Sequence, residues 1–313
     1  MKDKGLKIKY FSLFFLFSFF ILFCIPTFAA EKTIGVIMTG DIHYYREIHK
    51  SFTEALSSEG LGPGNVEIIL QKPVPEPMSW TNAARKLVAL DVDAIVSYGT
   101  PAAMAAMNET SKIPVIFAAV YDPQEAGIRG KNVTGISSKV PVATLLKNLK
   151  SISNFSRLGV VFSNIEKDSV LQINEVKQLE NNLQFKSFIF NIKKLGDSSK
   201  ITNIDALFLT TSCTVMQCVN DIIDIARKAK IPTATILGGE ENSGVILTIA
   251  ANPYEQGREA AKLAAKVIKG TKPSDLPIEQ SKKVDVIINL KEAADMDLKV
   301  PFDLLTSATK VIK

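Results

Sequence analysis

Asp93-Ala-Ile-Val-Ser-Tyr-Gly-Thr100, a helical stretch, and then Lys112-Ile-Pro-Val-Ile116 form one unit of this chain. A second unit repeats it: Asp205-Ala-Leu-Phe-Leu-Thr-Thr-Ser212, a helical stretch, and Lys230-Ile-Pro-Thr-Ala234. The Asp-to-Lys spacing is 19 residues in the first copy and 25 in the second. Upstream, Ile34-Gly-Val-Ile-Met-Thr-Gly-Asp41 is echoed by Leu158-Gly-Val-Val-Phe-Ser-Asn-Ile165. Short apolar runs alternating with helical patterns specify parallel sheets covered by helices. The duplication predicts an α/β fold of two similar Rossmann-like lobes with a cleft between them. One continuous sheet with extra strands is the plainer alternative.

Strands are expected at 33–38, 66–70, 94–97, 115–119, 158–162, 185–190, 206–209, 233–237, 245–250 and 283–290. Helices are expected at 44–56, 79–90, 101–110, 170–183, 216–228, 254–269 and 291–296, with Ser79 capping the second. The elements after residue 245 complete one lobe and then the other. Three linkers, 136–142, 248–254 and 280–286, are the expected hinge crossings. They divide the chain into lobe 1 (30–138 plus 251–282) and lobe 2 (139–250 plus 283–313).

Residues 1–29 read as a secretory leader. Lys2, Lys4, Lys7 and Lys9 precede an apolar run from Tyr10 to Ile25, and Thr27 and Ala29 suit cleavage after Ala29. The run falls short of the roughly 20 residues that span a bilayer, which disfavours a retained anchor. Leu22 and Phe23 before Cys24 are not the small residues that lipid attachment requires. A periplasmic protein follows. Without the leader the net charge falls from +5 to about +2, and the lysines are scattered among acids, so no nucleic-acid surface is expected. Cys213 and Cys218 form either a disulfide or two buried apolar side chains. His43 and His49, six residues apart, read as solvated helix positions.

Ligands of open parallel sheets bind beyond the carboxyl ends of the strands. Loops there include Gly40 and Asp41, Gly99-Thr100-Pro101, and Tyr121-Asp122 in the first copy. The second copy offers Asn164, Ser212 and Gly238. Thr100 sits at an N-cap position with Pro101 at the first helical residue, so the following helix presents amides to a carboxylate or is simply capped. Asp122 either receives an amino group or caps the next turn. Tyr121 offers a ring, and Ser137 a hydroxyl beside the first hinge. Trp80 reads as a packing residue. There is no nucleophile elbow, phosphate loop or dinucleotide fingerprint, and no clustered metal ligands. The expectation is a non-enzyme without metal or cofactor.

The ordered series resembles a known family. It comprises Asp93 to Pro101, Ile113 to Pro123, Asn132-Val-Thr-Gly-Ile-Ser137, Tyr254-Glu-Gln-Gly257, Gly270-Thr-Lys-Pro273 and Ile288-Asn-Leu-Lys-Glu-Ala-Ala294. It is similar to ABC transporter substrate-binding proteins that include tryptophan- and tyrosine-binding members, over about residues 33–301. The resemblance implies a type I periplasmic-binding fold. It implies that Thr100 and Pro101 hold a ligand carboxylate, that Asp122 holds the amino group, and that Asn164 touches the ligand. Thr211-Ser212-Cys213 and Leu237-Gly238-Gly239 depart from the family pattern, so the second half of the pocket is altered. The implied role is a monomeric binding component that delivers a small amino-acid-like molecule to a membrane permease. The alternative is a sensory protein presenting its ligand to a membrane receptor or kinase.

Overall fold

The computed structural model describes residues 32–239 and 244–313. The leader, its cleavage point and Cys24 lie outside the described residues. Among the described residues no helix is long and apolar enough to cross a membrane.

Five strands come first among the described residues: β1 (Lys32–Met38), β2 (Val66–Gln71), β3 (Ala94–Tyr98), β4 (Val115–Val120) and β5 (Val133–Ser137). They form a six-stranded sheet in the order β11-β5-β4-β3-β1-β2, with β11 being Glu279–Gln280. Every pairing in it is parallel. Residues of β3, β4 and β5 are buried throughout, as in a sheet covered on both faces.

The second sheet contains β6 (Arg157–Phe162), β7 (Lys186–Asn191), β8 (Ala206–Leu209), β9 (Thr233–Thr235), β10 (Leu247–Ala251), β12 (Val284–Asn289) and β13 (Lys310–Ile312). Its order is β13-β12-β10-β9-β8-β6-β7. Only the β10–β12 pairing is antiparallel, which departs from the purely parallel expectation. The strand following β11 enters this sheet from the opposite end.

In each sheet the chain order reverses beside the first strand of the unit. β1 has β2 on one side and β3 on the other; β6 has β7 on one side and β8 on the other. Such switch points leave a crevice at the strands' carboxyl ends. This places the loops after β1 and β3, and those after β6 and β8, where a ligand would enter.

The helices are α1 (His43–Ser58), α2 (Pro77–Ala89), α3 (Thr100–Glu109), α4 (Pro123–Ala126), α5 (Val142–Ile152), α6 (Lys167–Leu183), α7 (Cys213–Met216), α8 (Val219–Ala229), α9 (Pro253–Ile268), α10 (Leu290–Asp295) and α11 (Phe302–Ser307). Three expected boundaries change. Helix α2 begins at Pro77 after Glu76, so Ser79 lies inside it and does not cap it. Helix α3 begins at Thr100 itself, preceded by Gly99 at φ 90°, so Thr100 is not the cap. The helix expected from Met216 to Lys228 divides around Gln217-Cys218 into α7 and α8. Strand β5 and helix α5 were not anticipated as elements.

The chain crosses between the sheets three times: before β6, after β10 and after β11. The start of α9 ties all three crossings together. One Glu255 oxygen accepts the amides of Lys282 and Lys283 at 3.0 and 2.8 Å, together with the Ser281 hydroxyl. Gln256 donates to the Ser137 carbonyl at 3.0 Å and accepts the Ala119 amide at 2.8 Å. Asn252 caps α9 through the Glu255 amide and donates to Asp285. Tyr44 of α1 donates to the Ala251 carbonyl at 2.8 Å. Buried polar atoms are thereby satisfied where the backbone leaves its sheets.

Candidate functional site at the sheet junction

Loops from the two switch points meet directly. Thr100 is fully buried, and its hydroxyl lies 2.7 and 2.8 Å from the two carboxylate oxygens of Asp168, in the first turn of α6. The Tyr121 amide donates to the same carboxylate at 3.3 Å. A hydroxyl has one proton to give, so the buried Asp168 carboxylate has two donors, one of them at a long 3.3 Å. Burial, the largest influence, pushes its carboxyl up to about 7; the Thr100 and Tyr121 donors oppose this, and the Glu166 charge adds to it.

Glu166 is better satisfied. Its oxygens accept the Ser212 hydroxyl at 2.6 Å and the amides of Cys213 and Thr214 at 2.9 and 3.0 Å. Burial still raises its carboxyl above the ordinary range against these donors. The Tyr45 ring is buried beside this pair, and its hydroxyl is held well above its usual pKa by burial, then by Cys213, Glu166 and Asp168. The Ser163 hydroxyl at the end of β6 is buried without a hydrogen-bond partner in the structure.

The glycines explain the close approach. A Cβ on Gly40 would lie 3.0 Å from the Cys213 Cβ in the opposite loop. One on Gly99 would meet the Tyr45 hydroxyl at 2.4 Å, and that position also has positive φ, which only glycine adopts without cost. Gly238 packs against the Tyr44 ring.

Thr100, Tyr121, Gly40, Ser212 and Gly238 therefore all lie where the two sheets touch, and Pro101 follows Thr100 in α3. Other expected site residues face elsewhere. Asp41 is exposed and pairs with Arg46 at 3.0 Å and Lys72 at 3.4 Å. Asn164 is exposed, with its amide on the Asn191 side chain. Asp122 accepts the Glu125 amide, so the capping reading holds, and pairs with Lys139 at 2.6 Å. Burial acts on Asp122 in the opposite direction, but the Lys139 hydrogen bond and the amides outweigh it and hold the carboxyl below its usual range. Ser137 donates to the Tyr121 carbonyl.

Tyr121 is a buried side chain, its hydroxyl donating to Glu175 at 2.8 Å. His49 is half-buried, not solvated, with Nδ1 3.1 Å from the Tyr98 hydroxyl; burial lowers its pKa. Trp80 is buried as expected and donates to the Thr39 carbonyl. Cys213 and Cys218 are both buried and are not joined by a disulfide. Among the described residues no group of three or more His, Cys, Asp or Glu is arranged to hold a metal.

Glu166 and Asp168 were missed because acids at a helix start are ordinary. Their nearness to the Ser163-Asn164-Ile165 loop was the available signal.

The sequence profile of a family described as ABC transporter substrate binding protein matches residues 33–312. The chain belongs to this family. The resemblance read from the sequence is thereby confirmed, and the fold is the type I periplasmic-binding fold. A tyrosine-binding protein of Clostridioides difficile (strain R20291) is 26% identical over 282 residues, covering 86% of this chain and 82% of that protein. The crystal structure of an ABC domain in complex with L-Trp from Streptococcus pneumonia matches with a TM-score of 0.85 at 23% identity, covering 90% of this chain and 100% of that one. A ligand-free, open structure of a substrate binding protein with adhesive properties from Clostridium difficile matches at 0.65 and 26% identity, covering 90% and 99%.

Proposed function

We propose that this substrate-binding protein captures a small amino-acid-like molecule between lobes 30–138 plus 251–282 and 139–250 plus 283–313, and delivers it to an ABC permease. The proposal places it outside the cytoplasm as a monomer, after removal of residues 1–29, with no catalytic role. The observation that carries it is the meeting of both switch-point loop sets in a chain of this family. The names of the tyrosine-binding relative and the L-Trp complex support an amino-acid-like ligand. In this reading Gly40, Thr100, Pro101, Tyr121, Ser212 and Gly238 line the ligand's place, with Tyr45 added to them. Asp41 and Asn164 stand at its rim, and Asp122 and Ser137 beside the first crossing.

A thermal-shift panel of amino acids and related metabolites, led by L-tryptophan and L-tyrosine, tests the reading. A ligand that binds only the folded state raises the unfolding temperature. A panel that leaves that temperature unchanged at millimolar concentrations would count against an amino-acid-like ligand.

Asp122 also allows a finer test. If it gives up Lys139 to receive the ligand's amino group, Asp122→Ala weakens binding by about tenfold, the size of one lost charged hydrogen bond. Titration calorimetry with the panel's best ligand measures this. Wild-type affinity would leave Asp122 as the cap of α4 alone.

A further inference from the structure

Helix α6 follows β6 of the second sheet, yet one of its faces is spent on the first sheet. Lys167 donates to the Ala126 carbonyl at 2.8 Å. Asp168 takes the Thr100 hydroxyl and the Tyr121 amide. Leu171 packs against the apolar cluster that contains Phe117, Val120, Ala126 and Ile128. Glu175 accepts the Tyr121 hydroxyl at 2.8 Å and lies 3.6 Å from Lys139. Positions 168, 171 and 175 recur at helical spacing and so share one face. Apart from Lys139, which lies in the first crossing, each contact joins an element of one sheet to an element of the other.

We propose that this face of α6 is a latch that holds the two lobes closed, acting through Thr100 and Tyr121 independently of any ligand. The latch rests on the two-lobed reading above. It sets how much of the empty protein is already closed, and hence how much of a ligand's binding energy goes into closure.

The chemistry of Asp168 gives the latch a signature. The groups facing it are Thr100 from α3, the Tyr121 amide and Asp122 from the end of β4, Tyr45 from α1, and Glu166 from its own loop. None is a cation. Lys139, the nearby base, is engaged by Asp122 and Glu175. In an open form the Asp168 carboxyl meets water and returns toward the ordinary aspartate range, whereas burial in the closed form pushes it up to about 7. The closed state therefore binds the proton more tightly. Closure is favoured at low pH, weakens as pH rises from about 4 to 7, and is flat above that range. Between pH 5 and pH 8 the closed-to-open ratio falls by roughly 10².

Small-angle scattering from the empty exported protein at pH 5 and pH 8 tests this. The wild type is expected to expand at the higher pH. Asp168→Asn keeps an acceptor for Thr100 and has no titrating group, so its radius should be the same at both pH values. Leu171→Ser removes the apolar contact without touching the acid, and should expand the protein at both. A single cooperative thermal transition for each variant confirms folding. A wild-type radius that does not change with pH, or a folded Leu171→Ser protein as compact as the wild type, would overturn the proposal. Because no ligand is added, these outcomes are separate from those of the ligand panel.

Discussion

Glu166→Ala is expected to destabilise the protein by about 3 kcal/mol. The carboxylate of Glu166 is 2% exposed and receives the Ser212 hydroxyl and the Cys213 and Thr214 amides. Alanine leaves two buried backbone donors and one hydroxyl without acceptors. Each unsatisfied group costs about 1–3 kcal/mol, and some relief comes from water entering the vacated space. Removing a buried charge that itself carries a desolvation cost offsets part of the loss. The start of α7 at Ser212 to Thr214, which faces Gly40 across the junction, would lose its anchor, so ligand affinity should fall with stability. Urea unfolding measures the change, with an unchanged slope showing that the native state alone is affected. A loss below 1 kcal/mol would mean that the Ser212 loop holds its shape without Glu166.

Gly257→Val is expected to cost about 3 kcal/mol or more. Gly257 lies in α9 where it crosses α1, and a Cβ there would stand 2.3 Å from the Ile48 carbonyl oxygen and 2.8 Å from the Phe52 amide nitrogen. Both obstacles are backbone, so no side chain can turn aside; the two helices must part. A non-glycine residue gains up to about 1 kcal/mol of helix propensity, which is smaller than the overpacking cost of about 1–3 kcal/mol for even modest insertions, and valine adds two methyls beyond the first carbon. The same helix start carries Glu255 and Gln256, which tie the three crossings, so displacement of α9 should also loosen the hinge. Thermal unfolding measures the stability term. A valine variant as stable as the wild type would show that the α1–α9 contact is far looser than the structure has it.

Much of the fold is legible because parallel strands buried on both faces need continuous apolar runs. Ile34 to Met38, Val115 to Val120 and Ala206 to Leu209 carry that pattern without ambiguity. Strand β5, Val-Thr-Gly-Ile-Ser, does not: its glycine and hydroxyl residues look like a linker. Gly135 is there because Phe117 fills the space where a Cβ would sit, with the Phe117 carbonyl oxygen at 2.3 Å. That reason is tertiary and leaves no local mark. The antiparallel entry of β12 into the second sheet is equally invisible in Val-Asp-Val-Ile-Ile-Asn, which suits either direction.

At the site, loop positions were legible and partners were not. The rule that ligands meet the carboxyl ends of strands singles out Gly40, Thr100, Tyr121, Ser212 and Gly238, and the structure puts these five at the junction. It could not say that the Thr100 hydroxyl would be taken by Asp168, 68 residues away, or that Asp122 would face Lys139. Those choices depend on how the lobes meet, which the duplication implies without specifying. Glu166 and Asp168 are buried acids whose carboxyls burial raises, yet each looks in sequence like a commonplace acid at the head of a helix.

A crystal structure of the protein with the strongest ligand from the thermal-shift panel decides whether a small ligand is held between the two sheets by loops from both. The ligand is expected to contact the Gly40, Thr100 and Tyr121 loops on one side and the Ser212 and Gly238 loops on the other, and to be excluded from bulk solvent. A ligand bound to one lobe alone, or lying in the open groove of about 710 Å³ beside Lys139 and Glu175, would contradict it.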